Sequence, residues 1–250
     1  MIRPRSTKSK DIYDARFYDD QRNGSVVAAR VVVPMLVGLF HPKSVIDIGC
    51  GVGGWLKTFD THGVKDYQGV EGEWALSADT FIDKKHIVNW DLSNEYVPDR
   101  KYDLAICLEV AEHLQDRAGR HLVKALCAAS DAVVFSAAIP GQGGDHHINE
   151  QWQEYWVGIF GNEGFECDDS LRGRIWNEDI PWWYPQNILI FRNVAIADSE
   201  RTVGGIAPLN IVHPKNYKRL LELEHVGAVT LLRQLPRALW HGIHRRLVRR

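Results

Sequence analysis

The chain has 250 residues, 45% of them hydrophobic and 25% charged, with a formal net charge of -2. That composition suits one substantial buried core with appendages, and the charge balance gives no overall attraction to nucleic acid. Basic character is local: from Lys215 onward nine Lys and Arg face two Glu.

The four cysteines, Cys50, Cys107, Cys127 and Cys167, have no C-x-x-C or zinc-like spacing. A reduced, cytoplasmic protein without disulfides or structural metal is therefore expected. The most apolar run, Val26 to Phe40, is too short for a membrane span and contains Arg30 and Pro34. Residues 1–10 are basic and polar and predict a disordered start. Next comes a segment mixing Tyr13, Phe17 and Tyr18 with charges, then Gly24 and Ser25, the latter an N-cap candidate for a helix that Pro34 kinks or restarts. Two readings stand: a helix packed on a sheet, or a lid carrying Tyr13 or Tyr18.

From Ser44 strands and helices alternate. Strands are expected at 44–48, 66–71, 86–90, 102–107 and 131–136, with the clearest helix at Gln115 to Ala129. A helix from Asn149 to Phe160, a strand from Phe165 to Asp169 and a last strand from Asn187 to Phe191 follow. Such alternation predicts an α/β, Rossmann-like doubly wound sheet of seven strands, mostly parallel. The short link between the last two strands predicts an antiparallel pair at one edge. Ligands of such a sheet sit beyond the carboxyl ends of its strands. The expected divisions are 1–43, an N-terminal helical cap; 44–193, a cofactor-binding domain; and 194–250, a basic amphipathic extension. In the extension Leu239, Trp240, Ile243 and Leu247 form an apolar stripe beside Arg237, His241, Arg245 and Arg249. That stripe fits docking on its own domain, on a second subunit, or on an anionic membrane surface.

The stretch SVIDIGCGVGGW, Ser44 to Trp55, reads as a strand, a tight turn and a helix start. Its glycines fit both G-x-G-x-x-G and G-x-G-x-G, so spacing leaves two nucleotide cofactors open. Charge separates them better. Asp47 lies two residues before Gly49, where a carboxylate repels a pyrophosphate and attracts an ammonium or sulfonium. Glu71 ends the second strand, followed by Gly72, and an acid there can accept both ribose hydroxyls.

These residues resemble the class I S-adenosylmethionine-dependent methyltransferases, whose first motif is an acid followed by G-x-G-x-G. The resemblance covers residues 44 to 193 and implies S-adenosylmethionine as cofactor, with Asp47, Gly49, Cys50, Gly51 and Gly53 at the turn and Glu71 on the ribose. It also implies that Asp91 accepts from the adenine amino group, with Leu92 against the ring. The segment DLAICLEVAEHL, Asp103 to Leu114, is similar to a motif of many small-molecule methyltransferases. By that likeness Leu108 and Glu109 face the methionine part of the cofactor, and His113 takes a structural or a catalytic role.

After the fifth strand, a glycine-rich loop carries Gln142, His146, His147 and Asn149 and ends at Trp152. It resembles a bacterial subgroup of small-molecule or glycan methyltransferases with P-G-Q-G-G and H-x-N-E-Q-W. A hydroxyl acceptor must lose a proton, and imidazole is suited to take it, so His147 leads, ahead of His146 and His113, as general base. Two other readings remain. His147 and Glu150 share a helix face as metal ligands with Asp145, or the loop is structural, with Asn149 or Asp145 capping the next helix. Trp176, Trp182 and Trp183 lie in an otherwise polar stretch and offer flat faces to a sugar.

The expected activity is methyl transfer to a hydroxyl of a small molecule or saccharide. An NAD-dependent oxidoreductase, an RNA or other N-methyltransferase, and a non-catalytic fold that recruits partners or membrane through its basic tail are the alternatives. Nucleic acid is disfavoured by the net charge.

Overall fold

The computed structural model describes residues 15–196 and 210–224. Residues 1–10, Tyr13, Gly204, Gly205 and the stripe from Leu239 to Leu247 lie outside them, as do the side chains of Phe17 and Tyr18. The chain divides into two compact units, Met1–Ile211 and Val212–Arg250.

In the first unit the elements are α1 (Ala15–Phe40), β1 (Ser44–Ile48), α2 (Gly54–Thr61), β2 (Asp66–Glu71), α3 (Glu73–Ser77), β3 (Ile87–Asn89), β4 (Leu104–Leu108), α4 (Asp116–Ala129), β5 (Ala132–Ser136), α5 (Gln153–Asn162), β6 (Phe165–Asp168), α6 (Ser170–Ile175), α7 (Trp183–Asn187) and β7 (Leu189–Asn193). The described part of the second unit holds α8 (Pro214–Glu224). Among the described residues no helix is long and apolar enough to cross a membrane.

The seven strands form one sheet in the order β3-β2-β1-β4-β5-β7-β6. All run parallel except β7, which pairs antiparallel with both β5 and β6. The order reverses between β1 and β4, and a ligand crevice opens at the carboxyl ends flanking that switch. Alternating strand residues feed two cores. Val45, Leu104 and Ile106 pack with Ala28, Val32 and Leu36 of α1 and Leu56 and Phe59 of α2. Ile46, Ile48 and Ala105 pack with Leu122 and Leu126 of α4 and Trp156 and Phe160 of α5. Phe160 stacks on Phe191 at 3.7 Å between centroids.

Several local expectations need correction. Ser25 is not at a helix start, since α1 runs unbroken from Ala15 through Gly24, Ser25 and Pro34. Gly24 is there for close approach: a Cβ on it would stand 3.3 Å from Pro181 Cγ. Pro34 and Arg30 face solvent, where water can satisfy the Arg30 carbonyl that proline leaves without a donor. The helix expected from Asn149 starts instead at Gln153, because the amides of Ile148 and Asn149 donate to the Glu112 carbonyl at 2.9 and 3.0 Å and that of Gln151 to Ala138 at 3.1 Å. Neither Asn149 nor Asp145 caps α5; the Asn210 side chain accepts the Glu154 amide at 3.2 Å. The link between β6 and β7 is not short, because it carries α6 and α7, and Asn187 ends a helix rather than starting a strand.

Candidate active site

The turn after β1 is built by three left-handed glycines, with φ of 89° at Gly49, 55° at Gly51 and 84° at Gly53. A Cβ at Gly49 would stand 2.4 Å from Val110 and one at Gly53 2.6 Å from Ile82, whereas one at Gly51 meets nothing within 4 Å. Two glycines thus let the turn pack, and the third presents backbone to open space. The Cys50 side chain turns inward, so close to β2 that a Cβ on Gly69 would stand 2.5 Å from its sulfur.

Two acids support the turn. Asp47 is 2% exposed, and its Oδ2 is buried without a hydrogen-bond partner. Burial, then the Glu71 charge, pushes its pKa well up. Glu71 Oε2 accepts the Gly51 amide at 2.9 Å, while Oε1 accepts the Gly72 amide at 2.9 Å and the Trp74 indole at 3.2 Å. Those three bonds leave one of the four lone-pair directions, on Oε2, for a further donor. Farther out, Asp91 is exposed and accepts the Ser93 amide at 2.9 Å, with Leu92 half-buried beside it.

At the end of β4, Leu108 is 9% exposed and Glu109 adopts a left-handed φ of 57°, rare for a residue with a side chain. The Ser136 carbonyl and hydroxyl hold its amide at 3.0 and 3.1 Å. Its carboxylate is gripped by Asn187 Nδ2 at 3.0 and 3.3 Å and by Gln142 Nε2 at 3.3 Å. Gln142 Oε1 accepts in turn from Gln186 at 2.9 Å and Asn187 at 3.0 Å. Burial raises the Glu109 pKa, and the Asn187 bond opposes the rise. Gln186, Asn187 and Ser136 have no sequence signal of their own: the helix end at Asn187 reads as the start of a strand, and Ser136 reads as the ordinary end of β5.

The 3-10 turn Ala111–His113 after β4 carries Glu112 and His113. Glu112 is 0% exposed, and neither carboxylate oxygen has a hydrogen-bond partner. His113 Nδ1 is likewise buried and unpartnered, and desolvation lowers the pKa of this ring to about 4. Its ring meets that of His147 edge to face, 4.9 Å between centroids. His147 and Glu150 do not share a helix face, since both lie in the irregular segment before α5, but His147 Nδ1 and Glu150 Oε1 are 3.0 Å apart. With Glu150 ionised and accepting, the proton resides on Nδ1 and the lone pair on Nε2. His146 is exposed, with φ of 60°.

Of the residues expected to meet an acceptor, Gln142 and Asn149 are buried and engaged internally, the latter accepting from Gln151 at 2.9 Å and donating to the Ala111 carbonyl at 3.4 Å. Trp152 is 37% exposed at the start of α5. Trp176 and Trp182 are half-buried, and Trp183 packs on the core beside Tyr184. A depression of about 490 Å³ lined by Lys43, Lys101, Asp103 and Asp131 lies at the amino ends of β1, β4 and β5, opposite the glycine turn.

Strand order, glycine turn and strand-end acids together define a class I Rossmann-like methyltransferase fold. The sequence matches the methyltransferase domain family over residues 20–185, well over half its length, and the chain belongs to that family. No curated protein matches it. Among solved structures it resembles an O-methyltransferase family protein from Burkholderia thailandensis, with 13% identity over 72% of this chain and a TM-score of 0.51. The chain spans 60% of that protein's length. It also resembles an S-adenosylmethionine-bound amino pentose methyltransferase from Micromonospora echinaspora, with 14% identity, 74% of this chain and 100% of the other, and a TM-score of 0.52. A magnesium protoporphyrin IX methyltransferase from Synechocystis, solved with S-adenosylhomocysteine, is similar at 16% identity over 72% of this chain and 89% of the other, with a TM-score of 0.51.

S-adenosylmethionine is accordingly the cofactor, and the turn fits it. The unpartnered Asp47 oxygen and the Glu71 carboxylate supply negative charge for a cationic ligand, and Gly51 leaves its backbone open.

Proposed function

We propose that the chain transfers a methyl group to a hydroxyl of a small molecule or saccharide. S-adenosylmethionine supplies the electrophilic methyl. The chain binds it through the Gly49–Gly53 turn, Asp47, Glu71 and Gly72, through Asp91 and Leu92 at the adenine, and through Leu108 and Glu109 at the methionine end. The observation that carries the reading is the His147–Glu150 pair, 3.0 Å apart, with His147 clustered beside Glu112 and His113 after β4. A hydroxyl must shed a proton as it is methylated, and an imidazole whose Nδ1 is held by a carboxylate keeps Nε2 free to take one. His113 is a poorer base, with its pKa held near 4 by burial.

The likeness to an amino pentose methyltransferase and the half-buried Trp176 and Trp182, which offer apolar faces, favour a saccharide-like acceptor. The acceptor is thus a small molecule or glycan, met in the cytoplasm. The basic residues after Lys215 serve a second copy of the chain or an anionic membrane surface.

Titration with S-adenosylhomocysteine and with NADH, followed by a methyl-transfer screen over sugars, sugar nucleotides and amines, tests this reading. Micromolar S-adenosylhomocysteine binding with methylation at oxygen is expected. Binding of NADH alone, or methylation only of amines or RNA, would overturn it.

A further inference from the structure

The turn after β4 and the loop before α5 bring one carboxylate and two imidazoles to one point. One carboxylate oxygen of Glu112 and one ring nitrogen each of His113 and His147 all lie within 4.8 Å of one another. Backbone bonds hold this meeting in place. The Ile148 and Asn149 amides donate to the Glu112 carbonyl, and the Asn149 side chain donates to the Ala111 carbonyl at 3.4 Å. The loop is thereby stapled onto the turn that carries the other two groups.

Three features distinguish the cluster from a polar network that satisfies itself. Glu112 has no exposure, neither of its oxygens has a hydrogen bond of good geometry, and the Glu109 carboxylate lies beside it, a crowding of two buried acids that a cation would relieve. Among the described residues no Lys or Arg forms an ion pair with Glu109 or Glu112. His113 Nδ1 is also buried and unpartnered. Glu150 then does for His147 what outer carboxylates do for metal-binding histidines: it holds Nδ1 and turns the Nε2 lone pair outward as a ligand. Glu150 is itself fixed by the Gly141 and Gly143 amides at 2.8 and 2.7 Å. The His147 ring packs so closely on Gly144 that a Cβ there would stand 2.3 Å from Nε2, and only glycine fits beside it.

We infer that Glu112, His113 and His147 bind a divalent first-row cation, Mn2+ or Zn2+ in class, through one carboxylate oxygen and two imidazole nitrogens. Two histidines and one carboxylate suit such ions and leave coordination positions open. An acceptor oxygen enters an open position. The ion lowers the pKa of that hydroxyl, and its proton leaves to solvent without any change of oxidation state. In the loaded protein His147 is thus a ligand rather than the base. This role rests on the hydroxyl acceptor proposed above, whereas the binding of the ion does not.

The full chain, untagged and stripped with chelator, is titrated with MnCl2 and ZnCl2 by calorimetry, with Mn2+ also followed by the loss of its free electron-paramagnetic signal. S-adenosylhomocysteine affinity is measured on every sample as the check of fold. One ion per chain is expected. Glu112→Gln and His113→Asn should each weaken it at least tenfold, with Glu150→Gln and Gly144→Ala weakening it less, and S-adenosylhomocysteine affinity should stay within about twofold throughout. A stripped wild type that binds S-adenosylhomocysteine but neither ion overturns the inference and leaves His147 with Glu150 as the base. Ion binding unchanged in both Glu112→Gln and His113→Asn also overturns it. Binding of one ion that depends on both residues, with methylation only of amines, upholds the metal site and sinks the hydroxyl reading instead.

Discussion

Glu71 at the end of β2 holds the amide of Gly51, in the turn after β1, at 2.9 Å. The acid of one strand therefore fixes the glycine of its neighbour. Glu71→Gln should weaken S-adenosylhomocysteine binding at least tenfold and lower stability by about 1 kcal/mol, the scale of one lost hydrogen bond. Calorimetric titration and thermal unfolding read the two effects separately, and an unchanged affinity would remove Glu71 from the cofactor site.

Asp47 predicts the opposite sign for stability. Its buried carboxyl has a raised pKa, so burial disfavours the charged form. A raised folded pKa gives stability that is complete below the unfolded value, about 4 for Asp, and is lost as pH rises through the folded value. Asp47→Asn should therefore stabilise the ligand-free protein at pH 7 and weaken S-adenosylhomocysteine binding. The gain should shrink as the pH is lowered toward about 4. Melting curves of both proteins across that range check it.

Asn187 donates to both oxygens of Glu109. Asn187→Leu keeps the volume and removes the donor, at an expected cost of about 2 kcal/mol for a hydrogen bond to a buried charge. Turnover should fall as well, since Glu109 lies beside His147. Asn187→Asp should be worse, because it sets a second carboxylate against the first. Denaturant unfolding ranks the two.

His147→Ala should lower turnover at least a hundredfold with S-adenosylhomocysteine affinity nearly unchanged. Glu150→Gln should lower it less, because the imidazole remains but loses its orienting acceptor. Steady-state rates against one methylated acceptor decide this, and an unchanged rate in His147→Ala takes the residue out of the site.

Deletion of residues 217–250 should leave S-adenosylhomocysteine affinity nearly intact and change either the oligomeric state or binding to anionic liposomes. Light scattering and liposome flotation report on each. A collapse of cofactor affinity would make this segment part of the core.

The parallel half of the sheet was legible because β1 and β4 are apolar runs and β1, β2 and β4 each lead into chemistry-bearing residues, β2 through Gly69, Val70 and Glu71 despite its polar start. Ser44–Ile48 and Asp66–Glu71 match their expected limits, and the antiparallel pair at one edge is present, although the link between β6 and β7 is longer than expected. The loop before α5 was harder to read. Asn149 to Trp152 has helical composition, but its amides are spent on Glu112 and Ala138, partners about 40 and 13 residues away that periodicity cannot see. The same holds for Gln186 and Asn187, whose importance comes only from the distant Glu109. Glu112 and His113 were visible as a motif, yet their meeting with His147 depends on that unseen loop path.

The packing of α1 bears on how the chain folds. Ala28, Val32 and Leu36 share a core with Leu171, Ile175, Tyr184 and Ile190, and Gly24 closes against Pro181. The first helix made is thus covered by some of the last core residues made. During synthesis α1 can pack at once on Val45, Leu56 and Phe59, but the last of its partners emerge about 150 residues later, roughly 8 to 30 seconds at ribosomal speed. The nascent chain therefore carries part of the apolar face of α1 uncovered until its C-terminal partners are made, and chaperone dependence should track that uncovered part rather than the cofactor turn.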